Sequence, residues 1–291
     1  MESFDRYALY GDLAERDTAI LATVLLVKGV PVDLVPENAS LSLSLAARAG
    51  QDRGPYLRTP EGFVLAGRHG VLEWIERIYP APTLLPTTPV RRTVARLVED
   101  WIDLWLPHWP RRSWSTLERL AVHLDSAGFL LGARPIRADW LLAGWLETEV
   151  LCHDHARAHL SRHAPRLVSF GEDLLAESLS EREEGEDVIP ISLLSVLEEI
   201  GTDYHGYLAL NHQALKDQED RVMIDLGLGK RPLPVQAECE RRRIAVGREF
   251  AALDRDTRRR VAEMLEPLSA WHCLTLPPAM SGSDPSDPRS L

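Results

Sequence analysis

The sequence has few cysteines: only Cys152, Cys239 and Cys273 occur in 291 residues, and no two of them have C-x-x-C spacing. A dithiol redox centre needs two neighbouring cysteines, and disulfide-stabilised secreted domains carry many paired ones. Redox chemistry through a local cysteine pair is therefore excluded. The low cysteine usage indicates a reducing compartment and no disulfide framework.

An excess of basic residues and a long apolar run are also missing. The 33 Lys and Arg residues face 44 Asp and Glu residues, which gives a net charge of -11. Nucleic acids and anionic lipids both select basic surfaces, so neither is expected as a partner. The apolar stretch at 19–27 is far shorter than the ~20 residues that cross a bilayer. Because no basic region precedes an apolar run at the N-terminus, we expect no secretory signal and a cytoplasmic location.

The first eighty residues alternate between strand-like and helix-like patterns. "YALYGD" favours a strand, "RDTAILATVLLVKGV" a helix and "PVDLVPE" a second strand, which predicts a parallel pair joined by a crossover. After a loop, two strand-like runs at 56–58 and 63–65 are joined by a turn, and the helix "GVLEWIERIY" follows. The pattern predicts a β-α-β-loop-β-β-α domain over 1–80, followed by the proline-rich linker 81–90.

Beyond the linker the periodicity becomes helical. Apolar residues at 94, 97, 98, 101, 102 and 105 share one face of a helix, and "ADWLLAGWLETEVL" predicts a buried central helix. We predict an all-helical domain at 91–177, an acidic loop at 178–190, a helical extension with a β-hairpin at 191–275, and a disordered tail at 276–291. The acidic loop is interpreted as a solvated segment, with binding of a protein partner as the alternative.

Several strings together resemble the glutathione transferase superfamily. "LYGDLAERDTAILATVLLVKGVPVDLV" resembles its first strand, helix and second strand, "GPYL" resembles its cis-proline loop, and "PEGFVLAGRHGVLEWIERIYPAPTLLP" resembles the strands and helix that complete the ligand site. "FLLGARPIRADWLLAGWLE" and "APRLVSFGEDL" resemble segments of its helical domain. At the central helix the usual Ser/Thr cap position is Ile136, although Asp139 remains to bond backwards at the helix start. The resemblance covers residues 7–177 and implies an α/β thioredoxin-like N-terminal domain with an all-α C-terminal domain, glutathione as ligand, and a homodimer.

The resemblance also implies where the glutathione sulfur is activated, and there the sequence departs from the pattern. The family uses a Ser, Cys or Tyr to stabilise the thiolate, whereas the matching positions here are Glu15, Arg16 and Gly11. Arg16 could stabilise a thiolate by charge, and Thr18 is the nearest remaining hydroxyl. We take Arg16 and Thr18 as the candidate catalytic residues, with a purely structural role at the helix start as the alternative for Thr18.

The resemblance implies four ligand-binding positions. Gly54 and Pro55 match the family's cis-proline loop, whose backbone pairs with the cysteinyl part of glutathione, and an ordinary turn proline is the alternative for Pro55. The family places an acidic or amide residue and then a serine at the next helix start, whereas this chain has Gly67 and Arg68. Arg68 and His69 could hold a carboxylate or phosphate at a helix N-terminus, and a solvated arginine is the alternative.

Two further patterns carry alternatives. His155, His159 and His163 share one helical face, but no second cluster supplies further ligands, so we predict no metal site. Trp101 and Trp105 belong either to the core or, with Trp109 and Trp114, to a cleft for an apolar co-substrate. Neither a G-x-S-x-G elbow nor a phosphate-binding glycine-rich loop occurs.

Two functions remain open from the sequence. The first is a glutathione-transferase-like protein with a degenerate glutathione site, which acts in binding or regulation or takes an unusual ligand anchored by Arg68. The second is an active transferase that conjugates glutathione to a small hydrophobic electrophile. A small molecule or glutathione is the expected partner in both, and a protein partner stays open.

Overall fold

The computed structural model describes residues 6–108, 113–177, 185–225 and 229–279. The described residues fall into two compact units: those within Met1–Leu84 and Pro135–Arg182, and those within Leu85–Arg134 and Glu183–Leu291. Each unit therefore draws on two separate stretches of the chain. The domain boundaries predicted from the sequence follow chain order, and they stay a prediction.

The first unit contains a four-stranded mixed sheet. Its strands are β1 (Tyr7–Tyr10), β2 (Val32–Val35), β3 (Tyr56–Arg58) and β4 (Val64–Ala66), in the order β2-β1-β3-β4. β1 and β2 are parallel, whereas β1–β3 and β3–β4 are antiparallel. The predicted parallel pair is thus confirmed. The last strand begins one residue later than predicted.

Helices make up most of the remaining described residues. In chain order they are α1 (Arg16–Val27), α2 (Ala39–Ala49), α3 (Arg68–Ile78), α4 (Pro89–Leu104), α5 (Ser113–Ala127), α6 (Arg137–Trp145), α7 (Asp154–His163), α8 (Pro165–Glu177), α9 (Leu194–Glu199), α10 (His205–Asp217), α11 (Ala237–Ala252) and α12 (Arg255–Leu265). Two π-helical segments, Leu146–Val150 and Ile200–Tyr204, follow α6 and α9. A small N-terminal mixed sheet followed by many helices confirms the predicted fold class, thioredoxin-like plus all-α.

One helix lies where a loop was expected. α2 occupies part of the segment between β2 and β3, and its ends have recognisable caps: the Asn38 side chain accepts from the Leu41 N–H, and Gly50 adopts the left-handed conformation with φ 68°. Leu45 is buried in a cluster with Ala8, Tyr10 and Tyr56. The alternation of Leu and Ser in "LSLSL" obscured this helix, because helical periodicity is weak over so short a run.

Ion pairs and a close helix contact join α1, α3 and α6 in the first unit. Lys28 Nζ lies 2.8 Å from Oε2 of Glu76 and donates to the carbonyls of Tyr79 and Pro82. Arg137, at the start of α6, pairs with Glu73 on α3 at 2.6 Å. α1 and α6 also approach closely, since a Cβ added at Gly144 would lie 2.3 Å from Cγ1 of Ile20. These contacts join α3 to the end of α1 and to the start of α6, and they bring α1 and α6 together.

The second unit packs α4 and α5 with the C-terminal helices. Trp101 on α4 and Trp105 immediately after it are 0% and 3% exposed, and the Trp105 ring lies 5.3 Å from that of Tyr207. Both tryptophans therefore belong to the core, and the cleft alternative is wrong for them; Trp109 lies outside the described residues, and Trp114 is partly buried.

The acidic segment and the hairpin also lie in the second unit. Asp187 accepts from the backbone N–H groups of Val90 and Arg91, so one residue of the predicted acidic loop caps α4. The strands β5 (Arg221–Asp225) and β6 (Lys230–Pro234) form an antiparallel hairpin. The predicted turn at 227–229, the loop residues 178–184 and the tail from 280 lie mostly or wholly outside the described residues. Of the helices that are described, none has both the length and the apolar character of a membrane span.

Candidate functional site

Three segments meet at one edge of the sheet. In the register, Tyr10 at the end of β1 pairs with Tyr56 at the start of β3, and Tyr56 pairs with Ala66 at the end of β4. The segments that continue from these residues, 11–18, 54–55 and 67–69, must therefore lie next to one another. The Gly67 N–H donates to the Pro55 carbonyl at 3.0 Å, which joins two of them directly. All the sequence-predicted site residues belong to these segments, which we call the candidate site.

In the segment after β1, the Thr18 side chain packs against Gly11. Thr18 is 0% exposed, and a Cβ added at Gly11 would lie 2.3 Å from its Oγ1. Gly11 has φ 152°, so both its conformation and the contact with Thr18 require a residue without a side chain. Among the described atoms, the Thr18 hydroxyl has no hydrogen-bond partner. Glu15, not Thr18, is the residue that precedes α1, and its side chain makes no cap.

Asp17 connects two arginines of the candidate site. Its Oδ1 lies 2.9 Å from Nε of Arg68 and accepts from Nε of Arg16 at 3.2 Å, while Nη1 of Arg16 lies 3.1 Å from Oε1 of Glu149. The arginine-carboxylate cluster of Arg16, Asp17, Arg68 and Glu149 thus has two positive and two negative charges. Its formal net charge is zero.

Burial divides this cluster into an inner and an outer part. The Arg68 side chain is 6% exposed, Arg16 is 21% exposed, and the carboxylates of Asp17 and Glu149 are 36% and 39% exposed. Arg68 is therefore not a solvated side chain, and that alternative is wrong. A carboxylate from the same chain already neutralises the guanidinium that was expected to hold a ligand.

Asp17 and Glu149 were not identified from the sequence. Asp17 lies between the two candidates Arg16 and Thr18 in the first turn of α1, where an acidic residue is also favoured by the helix dipole. A buried arginine needs a counter-charge, and this requirement could have indicated Asp17 as a partner. Nothing local could indicate Glu149, because it lies more than a hundred residues away in a π-helical segment.

The Gly54–Pro55 peptide bond is cis, as the resemblance predicted. Pro55 is buried, whereas Gly54 is exposed. Glu37 borders this loop, since a Cβ added at Gly54 would lie 3.2 Å from its Oε1, and its other oxygen accepts from Ser42 at 2.5 Å. Burial and the nearby carboxylates of Glu37 and Asp52 raise the pKa of Tyr56, which begins β3.

Gly67 and His69 flank Arg68 at the start of α3. Gly67 has φ 74° and no side chain, and a Cβ there would meet Oε1 of Gln51 only at 3.7 Å. The position therefore has room for a larger residue, at the cost of a left-handed conformation. His69 is partly buried.

The capping interaction predicted for the central helix is present. Asp139 Oδ2 accepts from the Ile136 N–H at 2.8 Å, although Ile136 has no side-chain oxygen of its own. Asp139 is 0% exposed and fixes the start of α6. Asp139 therefore stabilises the start of a helix in the first unit.

The histidine row lies on α7 and is mostly exposed. The rings of His159 and His163 are 4.6 Å apart, and His155 begins the row one turn earlier. Within the described residues, no group of three or more His, Cys, Asp or Glu side chains is arranged to hold a metal ion. Cys152, just before this helix, is exposed, whereas Cys239 and Cys273 are buried.

Comparison with known proteins gives one curated relative. The chain is 25% identical over 139 residues to a maleylacetoacetate isomerase of Pseudomonas aeruginosa, and the match covers 38% of this chain and 64% of the relative. The chain thus spans less than two thirds of that relative's length. No protein-family model matches the chain.

Solved structures show the same likeness at low identity. A glutathione S-transferase from Methylobacterium radiotolerans, in complex with glutathione sulfonate, is 21% identical with a TM-score of 0.48, over 64% of this chain and 100% of that one. A maleylacetoacetate isomerase from Anaeromyxobacter dehalogenans, with bound glutathione, is 19% identical with a TM-score of 0.42, over 60% and 95%. The resemblance to glutathione transferases that was predicted from the sequence is confirmed as a similarity to this curated relative and to these solved structures.

Proposed function

We propose that this protein is a glutathione-transferase-like binding or regulatory protein whose glutathione site is degenerate. The single observation that carries the proposal is the buried ion pair between Arg68 and Asp17. It lies where the resemblance would place a serine and the γ-glutamyl end of the ligand. A ligand carboxylate at Arg68 must first displace the carboxylate of Asp17.

The missing side chain at Gly67 supports the same proposal. The resemblance expects an acidic or amide group there to hold the amino group of glutathione, and each lost charge-assisted hydrogen bond weakens binding by about tenfold to a hundredfold. Gly67 provides only backbone atoms, and its N–H is already donated to Pro55. The γ-glutamyl end is therefore poorly held.

Thiol activation is weak for a separate reason. A free thiol has a pKa of about 8.5 and must be depressed by about 2 units to be mostly ionised at neutral pH. The Thr18 hydroxyl is buried beneath Gly11, and Arg16 already faces the carboxylates of Asp17 and Glu149. Thr18 therefore presents no exposed hydroxyl to a thiolate, and Arg16 offers it no uncompensated charge.

The proposal is tested by measuring glutathione binding in the wild type and in a variant that restores the family pattern. In the wild type, calorimetry should give no binding at micromolar concentrations, and immobilised glutathione should not retain the protein. The double variant Gly67→Gln, Arg68→Ser should gain at least about tenfold in affinity, because two hydrogen-bonding side chains return. The matched control is Gly70→Gln, which changes a glycine of the same helix whose Cβ position meets nothing within 4 Å.

Micromolar binding by the wild type that is unchanged in Arg68→Ala would overturn the proposal. So would a restored variant that binds no better than the Gly70→Gln control while remaining folded. A crystal soaked in glutathione gives an independent reading, because ordered glutathione beside Gly54 and Pro55 in the wild type contradicts a degenerate site.

A second candidate is an active transferase, and the retained cis Gly54–Pro55 bond with its exposed Gly54 favours it. Glutathione would then dock by its cysteinyl backbone, and Arg16 would stabilise the thiolate on displacing a carboxylate. Turnover of a generic aryl halide that is lost in Arg16→Ala would establish this function. The homodimer, the cytoplasmic location and a protein partner stay predictions under both candidates.

A further inference from the structure

We propose that Ser192 is a nucleophile activated by His123, and that this pair gives the second unit an acylation site for activated esters of apolar acids. The proposal goes beyond the proposed function, because neither residue belongs to the candidate site. No sequence motif marks the pair, since the two residues are 69 positions apart in the chain.

The hydrogen bonds of the His123 ring determine which nitrogen can accept a proton. Nε2 lies 3.1 Å from the carbonyl oxygen of Leu130, which can only accept, so Nε2 carries the proton of the neutral imidazole. Nδ1 is then the basic nitrogen, and it lies 2.8 Å from Oγ of Ser192. The Ser192 hydroxyl therefore donates to Nδ1, as a nucleophile does to its general base.

The surroundings of His123 keep its ring neutral at neutral pH. His123 is 0% exposed, and burial lowers the pKa of its imidazole from the ordinary 6.5, although backbone hydrogen bonds from the turn after α5 act in the opposite direction. Thr116 and Arg119 on α5 both bond to Glu199 on α9. The two charges thus pair with each other, and α5 is held against the helix that follows Ser192.

The carbonyl that orients His123 lies in a tight turn. Phe129 and Gly132 exchange backbone hydrogen bonds of 3.0 and 3.1 Å across this turn. Nη2 of Arg91 donates to the carbonyl of Leu131 in the same turn at 2.6 Å. The backbone of the turn therefore has the role toward the imidazole that the carboxylate has in a Ser-His-Asp triad.

The exposure of the two residues defines the substrate class. Ser192 is partly exposed, whereas His123 is buried, so an ester can reach the hydroxyl but its leaving group cannot reach the imidazole. The leaving group must therefore depart as a stable anion, as a phenolate does. Ile191 and Val122, which adjoin Ser192 and His123 in sequence, are 85% and 68% exposed and favour an apolar acyl group.

Acylation requires only the ester and the Ser192–His123 pair. Oγ of Ser192 attacks the acyl carbon, and its proton passes to Nδ1 of His123. The bond from the acyl carbon to the phenolic oxygen breaks, and the phenolate leaves with that electron pair. His123 then releases its proton to solvent, and water hydrolyses the acyl-serine to the free acid and the serine.

The experiment treats the full chain with 4-nitrophenyl acetate, follows the release of 4-nitrophenolate and locates acetyl groups by peptide mass spectrometry. We expect an acetyl group on Ser192 that is absent in Ser192→Ala. His123→Gln keeps a hydrogen-bonding side chain but has no base, and it should lower the rate of Ser192 acetylation by at least about a hundredfold.

Ser195→Ala is the matched control, because it removes an exposed serine three residues along the chain and should leave the acetylation of Ser192 unchanged. The proposal is overturned if Ser192 is not acetylated, if Ser192 and Ser195 are acetylated to the same extent, or if His123→Gln reacts at the wild-type rate.

The pH profile of the wild type gives a result even if His123→Gln does not fold. With a neutral imidazole as base, the rate of Ser192 acetylation should rise through the pKa of His123, which lies below 6.5, and then reach a plateau. A serine without a base reacts as its alkoxide. A rate that keeps rising in proportion to hydroxide above neutral pH therefore contradicts the proposal.

Discussion

Two arginine-carboxylate clusters, one in each unit of the chain, have similar chemistry and different surroundings. In the first unit, Arg68 pairs with Asp17, whose side chain is 36% exposed. In the second, Nε of Arg242 lies 2.8 Å from Asp100 and Nη2 lies 2.6 Å from Asp103. Arg242, Asp100 and Asp103 are 5%, 11% and 7% exposed, so all three side chains are largely shielded from water.

The difference in exposure predicts a difference in role. A buried carboxylate that loses its partner has neither solvent nor another charge to replace that partner. Exchanging the partners of a fully buried pair therefore has a large free-energy cost. A carboxylate at the surface can turn into water, and its partner can accept a different anion. The Arg242 cluster therefore stabilises the fold, whereas the Arg68 cluster is suited to exchange.

The pKa of Asp100 reflects the exclusion of solvent from the Arg242 cluster. Burial raises the pKa of this carboxyl to about 6, with smaller contributions from Glu99 and Asp103, even though Arg242 acts in the opposite direction. The same burial raises the pKa of Cys239 to about 12, which makes this thiol inert at neutral pH.

The largest expected effect is the loss of Arg242. Arg242→Ala leaves Asp100 and Asp103 buried without their counter-charge and should lower the free energy of unfolding by about 3–5 kcal/mol, measured by urea denaturation. Arg241→Ala is the matched control, because Arg241 pairs with Glu238 at the surface, with exposures of 59% and 42%, and should cost less than about 1 kcal/mol. Similar losses in the two variants would remove the distinction between buried and exposed pairs.

A second prediction uses the pH dependence of stability to test the burial of His205 in the second unit. Burial lowers the pKa of His205 to about 4 from an ordinary 6.5, so the unfolded chain takes up a proton first as pH falls. The His205 contribution is fully present above pH 6.5 and is lost as pH falls toward 4, by about 1.4 kcal/mol per pH unit. The free-energy difference between the wild type and His205→Leu should fall by about 2–3 kcal/mol from pH 7 to 4.5.

The difference between the unfolding free energies of the wild type and His205→Leu removes the contributions of other titrating groups. The raised pKa of Asp100 stabilises the fold as pH falls through 6, and burial lowers the pKa of His123 as well, but both residues are present in both proteins and cancel. A difference that stays constant with pH would mean that His205 is hydrated or charged in the folded protein.

The sequence was sufficient for the fold where local patterns and the resemblance agree. The parallel β1–β2 pair, the cis bond before Pro55 and the back-bonding of Asp139 were all predicted, because each depends on residues close together in the chain. The helix α2 was missed because its apolar residues alternate with serine, although Asn38 and Gly50 marked both of its ends.

The candidate site was only partly predictable, for a physical reason. The positions of Arg16, Thr18, Gly54 and Arg68 follow from strand and helix order, and they do meet at one edge of the sheet. The partners of those residues depend on side-chain packing between elements, which local patterns do not specify. Thus the sequence indicated an arginine at the ligand position, but not that Asp17 already neutralises it.

The smallest expected effect concerns the Arg68–Asp17 pair itself, through a double-mutant cycle of Arg68→Ala and Asp17→Asn. Because one partner is more than a third exposed, the coupling energy should be at most about 1 kcal/mol, and it should weaken as salt is added. Arg68→Ala alone should cost somewhat more, since the buried aliphatic part of the side chain is also removed.

The same cycle between Arg242 and Asp100 gives the reference value for a buried pair, which should be several times larger and insensitive to salt. Coupling of equal size in the two cycles would place Arg68–Asp17 among the structural pairs of the core. An anion could then reach Arg68 only by unfolding part of α1, because Asp17 would no longer be an exchangeable partner.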